Sequence, residues 1–232
     1  MMRIHYAIGD VHGHDHLLEQ MLARIVSDRM ERHAGRPATI VSLGDYVDRG
    51  PDSAGVIDRL MRGVAGFDTV CLKGNHEAML LACVDTDDRQ VWQHWMRNGG
   101  TATMGSFGLD PARNGGAKAL VEAVGLERIA FLRRLPLYHA TADYLFVHAG
   151  IVPGRPIEEQ SERDLLWIRD RFLDSDRDHG RLVIHGHTPV AEPDIRPNRI
   201  GIDTGAFMTG RLTAVVLGEE GGPRFLSVRE TS

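Results

Sequence analysis

The stretch GDYVDRG, residues 44–50, places two aspartates three positions apart between glycines. It directly follows ATIVSL, residues 38–43, an apolar run typical of a strand buried on both faces. A surface turn tolerates aspartate, arginine and glycine, but metal sites also use carboxylates. The rest of the chain therefore has to decide whether this stretch is a turn or a functional loop.

The same arrangement recurs on both sides of this stretch. Residues 3–8 form an apolar run that ends in Gly-Asp, and residues 67–72 form another that ends in Lys-Gly-Asn-His. Apolar periodicity predicts helices over about 16–33 and 53–62 between these runs. Alternation of strand and helix indicates a βαβαβ unit with a largely parallel sheet. Loops at the carboxyl ends of parallel strands meet at one edge, so we expect the three loops to converge.

The second half of the chain has a different pattern of predicted secondary structure. Residues 77–135 have a helical pattern, interrupted over 98–116 by a glycine-rich patch that we interpret as a mobile flap or a small cap. A hairpin with its turn near 142–143 follows, and then a helix over about 164–173. Four short runs predict a mostly antiparallel second sheet: residues 181–184, 199–202, 212–217 and 224–228. Two sheets packed face to face with helices outside is the architecture that this order favours.

Length and composition indicate an ordinary globular domain. The chain has 232 residues, 42% of them hydrophobic and 25% charged, and its net charge of −5 predicts no nucleic-acid or membrane partner. The first residues lack the apolar segment of a secretory signal, and no apolar run reaches membrane-spanning length. Cys71 and Cys83 lack metal-site spacing and are expected to be buried, reduced thiols. We therefore expect a cytoplasmic protein, with its oligomeric state left open.

Five loops at predicted strand ends contain candidate metal ligands: GDVHG (9–13), GDYVDRG (44–50), GNHE (74–77), HAG (148–150) and HGHT (185–188). Each has a structural alternative when taken alone. Asp10 is a suitable helix N-cap, Gly-Asn is a common turn, and His148 has the apolar neighbours of a core histidine. Turn chemistry does not explain why all five loops carry such residues.

The ordered motifs resemble the phosphoprotein phosphatase (PPP) family of metallophosphoesterases, particularly its compact bacterial and phage members. They extend from Gly9 to Thr188, which is most of the chain. The resemblance implies an α/β fold, an αββα sandwich of two mixed sheets flanked by helices. It also implies one metallophosphoesterase domain over 1–232, with a helical or flap insertion around 78–135.

The resemblance further implies two divalent metal ions. Their ligands would be Asp10, His12 and Asp45 for the first ion, and Asp45, Asn75, His148 and His187 for the second. Asp45 would bridge the ions, because a carboxylate has two oxygens to offer. Oxygen and nitrogen ligands without thiolate suit Mn²⁺, with Fe and Zn²⁺ as alternatives.

The implied reaction is in-line attack on phosphorus by a metal-bridging hydroxide. His76 would be the general acid for the leaving oxygen, and Asp48 would fix its tautomer and raise its pKa. Arg49 would bind phosphate through its planar guanidinium. Arg169, in the stretch LLWIRDRF, resembles a second phosphate-binding arginine, and Arg171 is the alternative at that place.

The predicted substrates are phosphoserine and phosphothreonine proteins, with phosphotyrosine and small phosphoesters as further candidates. The runner-up is a diadenosine tetraphosphate hydrolase, but those relatives usually lack the counterpart of Asp48 and often have GNHD where this chain has Glu77. A non-catalytic phosphoprotein-binding scaffold is disfavoured, because every expected position is occupied. Pro189 stands where broader metallophosphoesterases often have one more histidine ligand, and His185 is left outside the ligand set.

Overall fold

The computed structural model describes residues 3–113 and 115–230. Its strands are β1 (Ile4–Ile8), β2 (Ala38–Ser42), β3 (Asp68–Cys71), β4 (Tyr138–Ala140), β5 (Tyr144–Val147), β6 (Leu182–His185), β7 (Asp194–Ile195), β8 (Arg199–Gly201), β9 (Arg211–Leu217) and β10 (Arg224–Arg229). Its α-helices are α1 (Asp15–Arg32), α2 (Ser53–Arg62), α3 (Asn75–Asp85), α4 (Arg89–Trp95), α5 (Thr101–Ser106), α6 (Ala117–Val124), α7 (Leu126–Arg133), α8 (Glu162–Trp167), α9 (Asp170–Leu173) and α10 (Ala206–Thr209). The segment Met96–Gly100, assigned as a π-helical turn but kinked at Gly99, where φ is 100°, joins α4 to α5, and a 3₁₀ turn, Ile157–Glu159, precedes α8.

The strands form two mixed sheets. The first has the order β10-β9-β1-β2-β3, in which β1, β2 and β3 are parallel and β9 and β10 are antiparallel to their neighbours. The second has the order β4-β5-β6-β8-β7, with three parallel strands at its centre and an antiparallel strand at each edge. The predicted parallel βαβαβ unit and the two mixed sheets are confirmed.

The prediction that the four later runs make a mostly antiparallel second sheet is wrong. β6 and β8 lie parallel to each other and to β5, whereas β9 and β10 join the first sheet beside β1. An apolar run reveals a strand but not its partner. β9 is buried along nearly its whole length, which suits a position inside a sheet between two other strands.

The layers follow from strand alternation. In β1, Tyr6 and Ile8 face the core beneath the helices, whereas Ala7 lies in a second core between the two sheets. Phe146 from β5 fills that inter-sheet core from the other side. The outer face of the second sheet is covered by α8 and α9, where Phe172 is fully buried. The order is helix, sheet, sheet, helix, which confirms the αββα sandwich.

Two further predictions need correction or refinement. The helix expected over 164–173 is broken at Arg169, whose φ of −133° and ψ of −110° separate α8 from α9. Within the glycine-rich patch 98–116, the first part forms the π-helical turn and α5, and Thr103 is fully buried, so this part is packed rather than a mobile flap. Asn114 in that patch lies outside the described residues. The boundaries of the insertion remain a prediction.

Two features bear on the chain as a whole. Cys83 is buried as predicted, whereas Cys71 is only half-buried, and both are free thiols. Among the described helices, none combines the length and apolar character needed to cross a membrane.

Candidate metal centre

The five candidate loops all begin where a strand ends. Asp10 and His12 follow β1, Asp45 follows β2, and Asn75 opens the helix after β3; His148 and His187 follow β5 and β6. The side chains of these loops contact one another across the two sheets, as the distances below show. The predicted convergence of the loops is therefore present in the fold.

Asp45 lies at the centre of this convergence. Its Oδ2 is 3.6 Å from Nε2 of His12 and 3.8 Å from Nε2 of His76. Its Oδ1 is 3.3 Å from Nε2 of His148. The two carboxylate oxygens thus face different sets of histidines, which is the arrangement that a bridging carboxylate requires.

The four ligands predicted for the second ion lie together. Oδ1 of Asn75 is 2.9 Å from Nε2 of His148 and 2.9 Å from Nδ1 of His187. Asp45, His148 and His187 also bring one ligand atom each within 4.8 Å of one another. A carboxylate, an amide oxygen and two imidazoles form a plausible site for a divalent ion of intermediate softness.

The set predicted for the first ion is less compact. His12 and Asp45 are close, but the third residue in their cluster is His76 rather than Asp10. Oδ2 of Asp10 instead accepts the backbone N–H of His187 at 3.0 Å. Gly186 permits this approach, because a Cβ atom there would overlap Oδ1 of Asp10. Asp10 therefore lies at the centre but outside the tight His12 cluster.

Backbone carbonyls fix the tautomers of two of these histidines. Nδ1 of His12 lies 2.9 Å from the carbonyl oxygen of Val47, and Nδ1 of His148 lies 2.9 Å from that of Leu43. Each Nδ1 must donate, so each Nε2 keeps a lone pair directed at Asp45. Burial lowers the pKa of His12 to about 3 and the pKa of His148 below its ordinary value. Neutral imidazoles of this kind suit a metal ion.

The carboxylates provide a second test of the fit. Burial raises the pKa of Asp10 well above its ordinary value, and the nearby Asp203 and Asp45 raise it further. Burial would also raise the pKa of Asp45, but His148, His76 and His12 outweigh it and lower that pKa. Buried carboxylates this close together repel one another, and divalent cations would relieve that repulsion. The residues present therefore fit the implied metal ions.

His76 and Asp48 form a buried pair. Nδ1 of His76 donates to Oδ2 of Asp48 at 2.6 Å, and a guanidinium N–H of Arg49 lies 3.1 Å from Nε2 of His76. Burial alone would lower the pKa of His76, but the carboxylates of Asp45 and Asp48 outweigh it and raise that pKa. The structure thus brings together the two residues for which the roles of acid and orienting aspartate were predicted.

The two predicted phosphate-binding arginines are both exposed beside the centre. The guanidinium of Arg49 lies 4.2 Å above the ring of Phe207. Arg169 donates from Nη1 to the hydroxyl of Thr188 at 3.1 Å, next to the candidate ligand His187. Arg171 lies within α9, so the geometry favours Arg169 for this role.

Sequence reasoning missed the role of Glu77. Its buried carboxylate accepts backbone N–H groups from Asp45 at 2.9 Å, Tyr46 at 2.7 Å, Val47 at 3.3 Å and Gly74 at 2.8 Å. It thereby ties the loop after β2 to the start of α3. The signal was available, because a glutamate at the third position of a helix is the spacing of a capping box.

Three more residues were missed. Asp203 is buried beside Asp10, and its motif Gly-Ile-Asp after β8 repeats the strand-end pattern of the other loops. Thr103 donates to Asp48 from the patch that was expected to be a flap or cap, and Trp95 donates to it from the end of α4, just before that patch. By contrast, His185 packs edge-on against Phe172, with ring centroids 5.2 Å apart, which agrees with its exclusion from the ligand set.

Backbone strain marks the same residues. Among the described residues other than glycine, those with a positive φ are His12, Asp45, Asp48, Arg49 and His187. All five were predicted as site residues. Such conformations cost energy and persist only where surrounding contacts over-determine them, so their grouping here is typical of a functional site.

Comparisons with known proteins agree with this geometry. A family model described as calcineurin-like phosphoesterase matches residues 6–217. The chain is 28% identical to serine/threonine-protein phosphatase 1 of Salmonella typhimurium, over 90% of this chain and 89% of that one. It is also 28% identical to an asymmetrical bis(5'-nucleosyl)-tetraphosphatase of Oceanobacillus iheyensis, over 89% of this chain and 86% of that one. A solved structure provisionally named a diadenosine tetraphosphatase has a TM-score of 0.67 at 25% identity, covering 97% of this chain and 93% of that one.

Proposed function

This chain belongs to the calcineurin-like phosphoesterase family, and on that premise we propose that it removes phosphate from phosphoserine and phosphothreonine in proteins. Family membership makes it a metallophosphoesterase, a hydrolase of phosphoesters. The choice among phosphoesters is our proposal, because the relatives carry two kinds of name.

The proposed cofactors are two divalent ions, Mn²⁺ first, with Fe and Zn²⁺ as alternatives. Asp10, His12 and Asp45 would hold one ion, and Asp45, Asn75, His148 and His187 the other. Bound ions would supply Lewis acidity toward the phosphoryl oxygens and lower the pKa of water. The neutral imidazoles and the two-sided Asp45 carboxylate support this assignment.

The observation that carries the proposal is the buried His76–Asp48 pair, with its 2.6 Å hydrogen bond. When the P–O bond to a serine or threonine oxygen breaks, the leaving alkoxide is a strong base and needs a proton. His76 would give that proton from Nε2, and Asp48 would stabilise the histidine while it is charged. The leaving group of a dinucleoside polyphosphate is a stable phosphate anion, which needs such an acid much less.

The arginines would hold the phosphate group. An N–H of Arg49 is directed at Nε2 of His76, so that nitrogen is an acceptor in this structure. Phosphate oxygens would compete for the Arg49 guanidinium and free Nε2 to carry a proton. Arg169, beside Thr188, would bind the same phosphate through its planar fork.

A diadenosine tetraphosphate hydrolase is the second candidate. It is favoured by the similarity to the Oceanobacillus iheyensis protein, which is as high as that to the Salmonella typhimurium phosphatase. Both candidates use the same metal centre and differ in the leaving group.

A rate comparison decides between these candidates. The Mn²⁺-loaded protein is assayed on phosphoserine, phosphothreonine and phosphotyrosine peptides and on diadenosine tetraphosphate. We expect kcat/KM to be higher on the phosphoserine or phosphothreonine peptides than on diadenosine tetraphosphate. The reverse order would overturn the proposal in favour of the nucleotide hydrolase. Hydrolysis no faster than with Mn²⁺ alone would instead leave a non-catalytic phosphoprotein-binding scaffold.

A further inference from the structure

We propose that Trp95 and Thr103 are positioning residues for His76, and that they act through Asp48. The inference rests on the proposed function, because it assumes that His76 is the acid. It assigns a role in the reaction to the segment Trp95–Thr103, which runs from the end of α4 through the π-helical turn into α5. We call this segment the support segment.

The carboxylate of Asp48 is surrounded by donors. Nε1 of Trp95 lies 2.9 Å from Oδ1 and 3.0 Å from Oδ2, and the hydroxyl of Thr103 lies 2.6 Å from Oδ1. Nδ1 of His76 lies 2.6 Å from Oδ2. The side chains of Asp48, Trp95 and Thr103 are fully buried, so no solvent replaces these partners.

The donor and acceptor roles of the Thr103 hydroxyl can be assigned in only one way. Its hydroxyl has a single hydrogen, which goes to the Asp48 carboxylate, because that carboxylate can only accept. The Thr103 oxygen then accepts the backbone N–H of Asp48 at 2.8 Å and the hydroxyl of Ser53 at 3.0 Å. Thr103 therefore contacts both the backbone and the carboxylate of Asp48, and this fixes the rotation of that side chain.

These contacts have a chemical consequence. A fully buried carboxylate is driven towards its neutral form, and donated hydrogen bonds favour the charged form. The Trp95 and Thr103 donors therefore help to keep Asp48 ionised and oriented, and an ionised Asp48 requires the Nδ1–H tautomer of His76. Nε2 of His76 is then the nitrogen that faces Arg49 and Asp45.

The support segment also contacts Arg49. The carbonyl oxygen of Gly99 accepts the backbone N–H of Arg49 at 3.2 Å. Gly99 has a φ of 100°, and a Cβ atom there would lie 2.8 Å from Cγ of Arg49. Trp95, Gly99 and Thr103 are spaced four residues apart, so one segment contacts both the orienting aspartate and the proposed phosphate-binding arginine.

The test removes one donor at a time and keeps the side-chain shape. Thr103→Val and Trp95→Phe are compared with Thr101→Val, an exposed threonine in α5, and Trp92→Phe, whose indole N–H donates to the Thr86 carbonyl rather than to Asp48. Thr103→Ser restores the hydroxyl. Each protein is assayed with Mn²⁺ on a phosphoserine peptide and on p-nitrophenyl phosphate, whose leaving group needs no proton.

We expect Thr103→Val and Trp95→Phe to lower kcat on the phosphoserine peptide by ~10- to 100-fold, the range for one hydrogen bond to a charged group. The loss on p-nitrophenyl phosphate should be much smaller, and KM should change little on either substrate. Thr103→Ser should return most of the activity, and the two control variants should behave like the unaltered protein. A merely structural defect would lower both rates together.

A second measurement does not depend on activity. In the metal-free protein, the proton between His76 and Asp48 should give a downfield NMR signal, identified by its loss in His76→Asn. That signal should shift or broaden in Thr103→Val and Trp95→Phe and stay unchanged in the two control variants. If Thr103→Val does not fold, Trp95→Phe decides both measurements.

The outcomes separate this inference from the proposed function. If His76→Asn selectively slows the phosphoserine peptide but Thr103→Val and Trp95→Phe match their controls, the inference is wrong and the acid assignment stands. If His76→Asn slows both substrates equally, His76 is not the acid, and the proposed mechanism and this inference fall together. The inference would also be wrong if the NMR signal were unchanged in both Thr103→Val and Trp95→Phe.

Discussion

Glu77 shows how a single buried side chain can shape the candidate metal centre without being one of its candidate ligands. It is fully buried, and its two oxygens accept backbone N–H groups from both the Asp45 loop and the start of α3. Asp45 has a φ of 53°, which is costly for a residue with a side chain. The hydrogen bonds of Glu77 offset part of that cost and hold Asp45 in place.

Replacing Glu77 by Gln should therefore destabilise the protein. Each oxygen of Glu77 accepts two backbone N–H groups, and the amide keeps only one oxygen, so two buried N–H groups lose their acceptor and face an N–H₂ group instead. We expect the free energy of unfolding to fall by about 1–3 kcal/mol, measured by urea denaturation without metal. Glu122→Gln, at an exposed position in α6, is the control and should change stability little. Equal stability of the two variants would contradict this role of Glu77.

Asp45→Asn tests the bridging role at the same scale. An amide offers one oxygen where the carboxylate offers two, and it carries no charge, so both proposed ions should bind more weakly. The measurement is metal stoichiometry after Mn²⁺ loading and gel filtration, with Asp143→Asn in the exposed turn between β4 and β5 as the control. Retention of two ions by Asp45→Asn would show that Asp45 does not bridge.

At the scale of elements, each loop of candidate ligands follows directly on a strand, and it must turn sharply and pass close to another such loop. Gly74 precedes α3 at the place where this helix start meets the Asp45 loop. A Cβ atom at Gly74 would overlap both the backbone N and Oδ1 of Asp45. Glycine is required there for close approach, since a side chain would push the two loops apart.

Gly74→Ala should consequently weaken both metal binding and folding, whereas Gly105→Ala should not. Gly105 lies within α5, and nothing comes within 4 Å of a Cβ atom built there. Alanine at Gly105 should raise stability by about 0.5–1 kcal/mol, because glycine is unfavourable inside a helix. Isothermal titration with Mn²⁺ and urea denaturation provide the comparison. If the two substitutions change Mn²⁺ affinity and the free energy of unfolding equally, the close approach at Gly74 is not what requires glycine there.

At the scale of the whole molecule, the centre joins the two sheets. The candidate ligands after β1, β2 and β3 belong to the first sheet, and the candidates His148 and His187 follow strands of the second. Asp45 and His148 meet across the sandwich with 3.3 Å between their ligand atoms. Bound ions would therefore cross-link the sheets, in addition to the inter-sheet core around Phe146.

Metal binding should accordingly stabilise the entire fold. At a free Mn²⁺ concentration of roughly 100 times Kd, each occupied site should raise the free energy of unfolding by about 2.7 kcal/mol, and a chelator should remove the gain. His187→Ala deletes a ligand from the second sheet and should shrink this increment. His94→Ala, at an exposed position in α4 outside the candidate ligand set, should not. If the Mn²⁺-dependent rise in the free energy of unfolding is the same in His187→Ala, the stabilising ion binds at a different site.

Local patterns in the sequence determined much of this protein. Apolar periodicity predicted β1, α1, β2, α2 and β3 nearly to their ends. The spacing of apolar residues along the chain reflects whether one face or both faces of an element are buried. The Gly-Asp and Gly-Asn loops, together with the parallel order, predicted that Asp10, Asp45 and Asn75 would meet at one edge. The family resemblance added the roles of His76, Asp48 and Arg169, and the structure places these residues beside the same centre.

Only the tertiary structure decided what depends on partners far apart in the chain. β9 pairs with β1 although about two hundred residues separate them, and no local pattern encodes that choice. The donors to Asp48 are Trp95 and Thr103, 47 and 55 positions away, and Thr103 lies in the patch whose glycines suggested mobility. The left-handed backbone of His12, Asp45, Asp48, Arg49 and His187 is likewise invisible in the sequence. Such conformations are held by contacts from several elements at once, and those contacts exist only after the two sheets have packed.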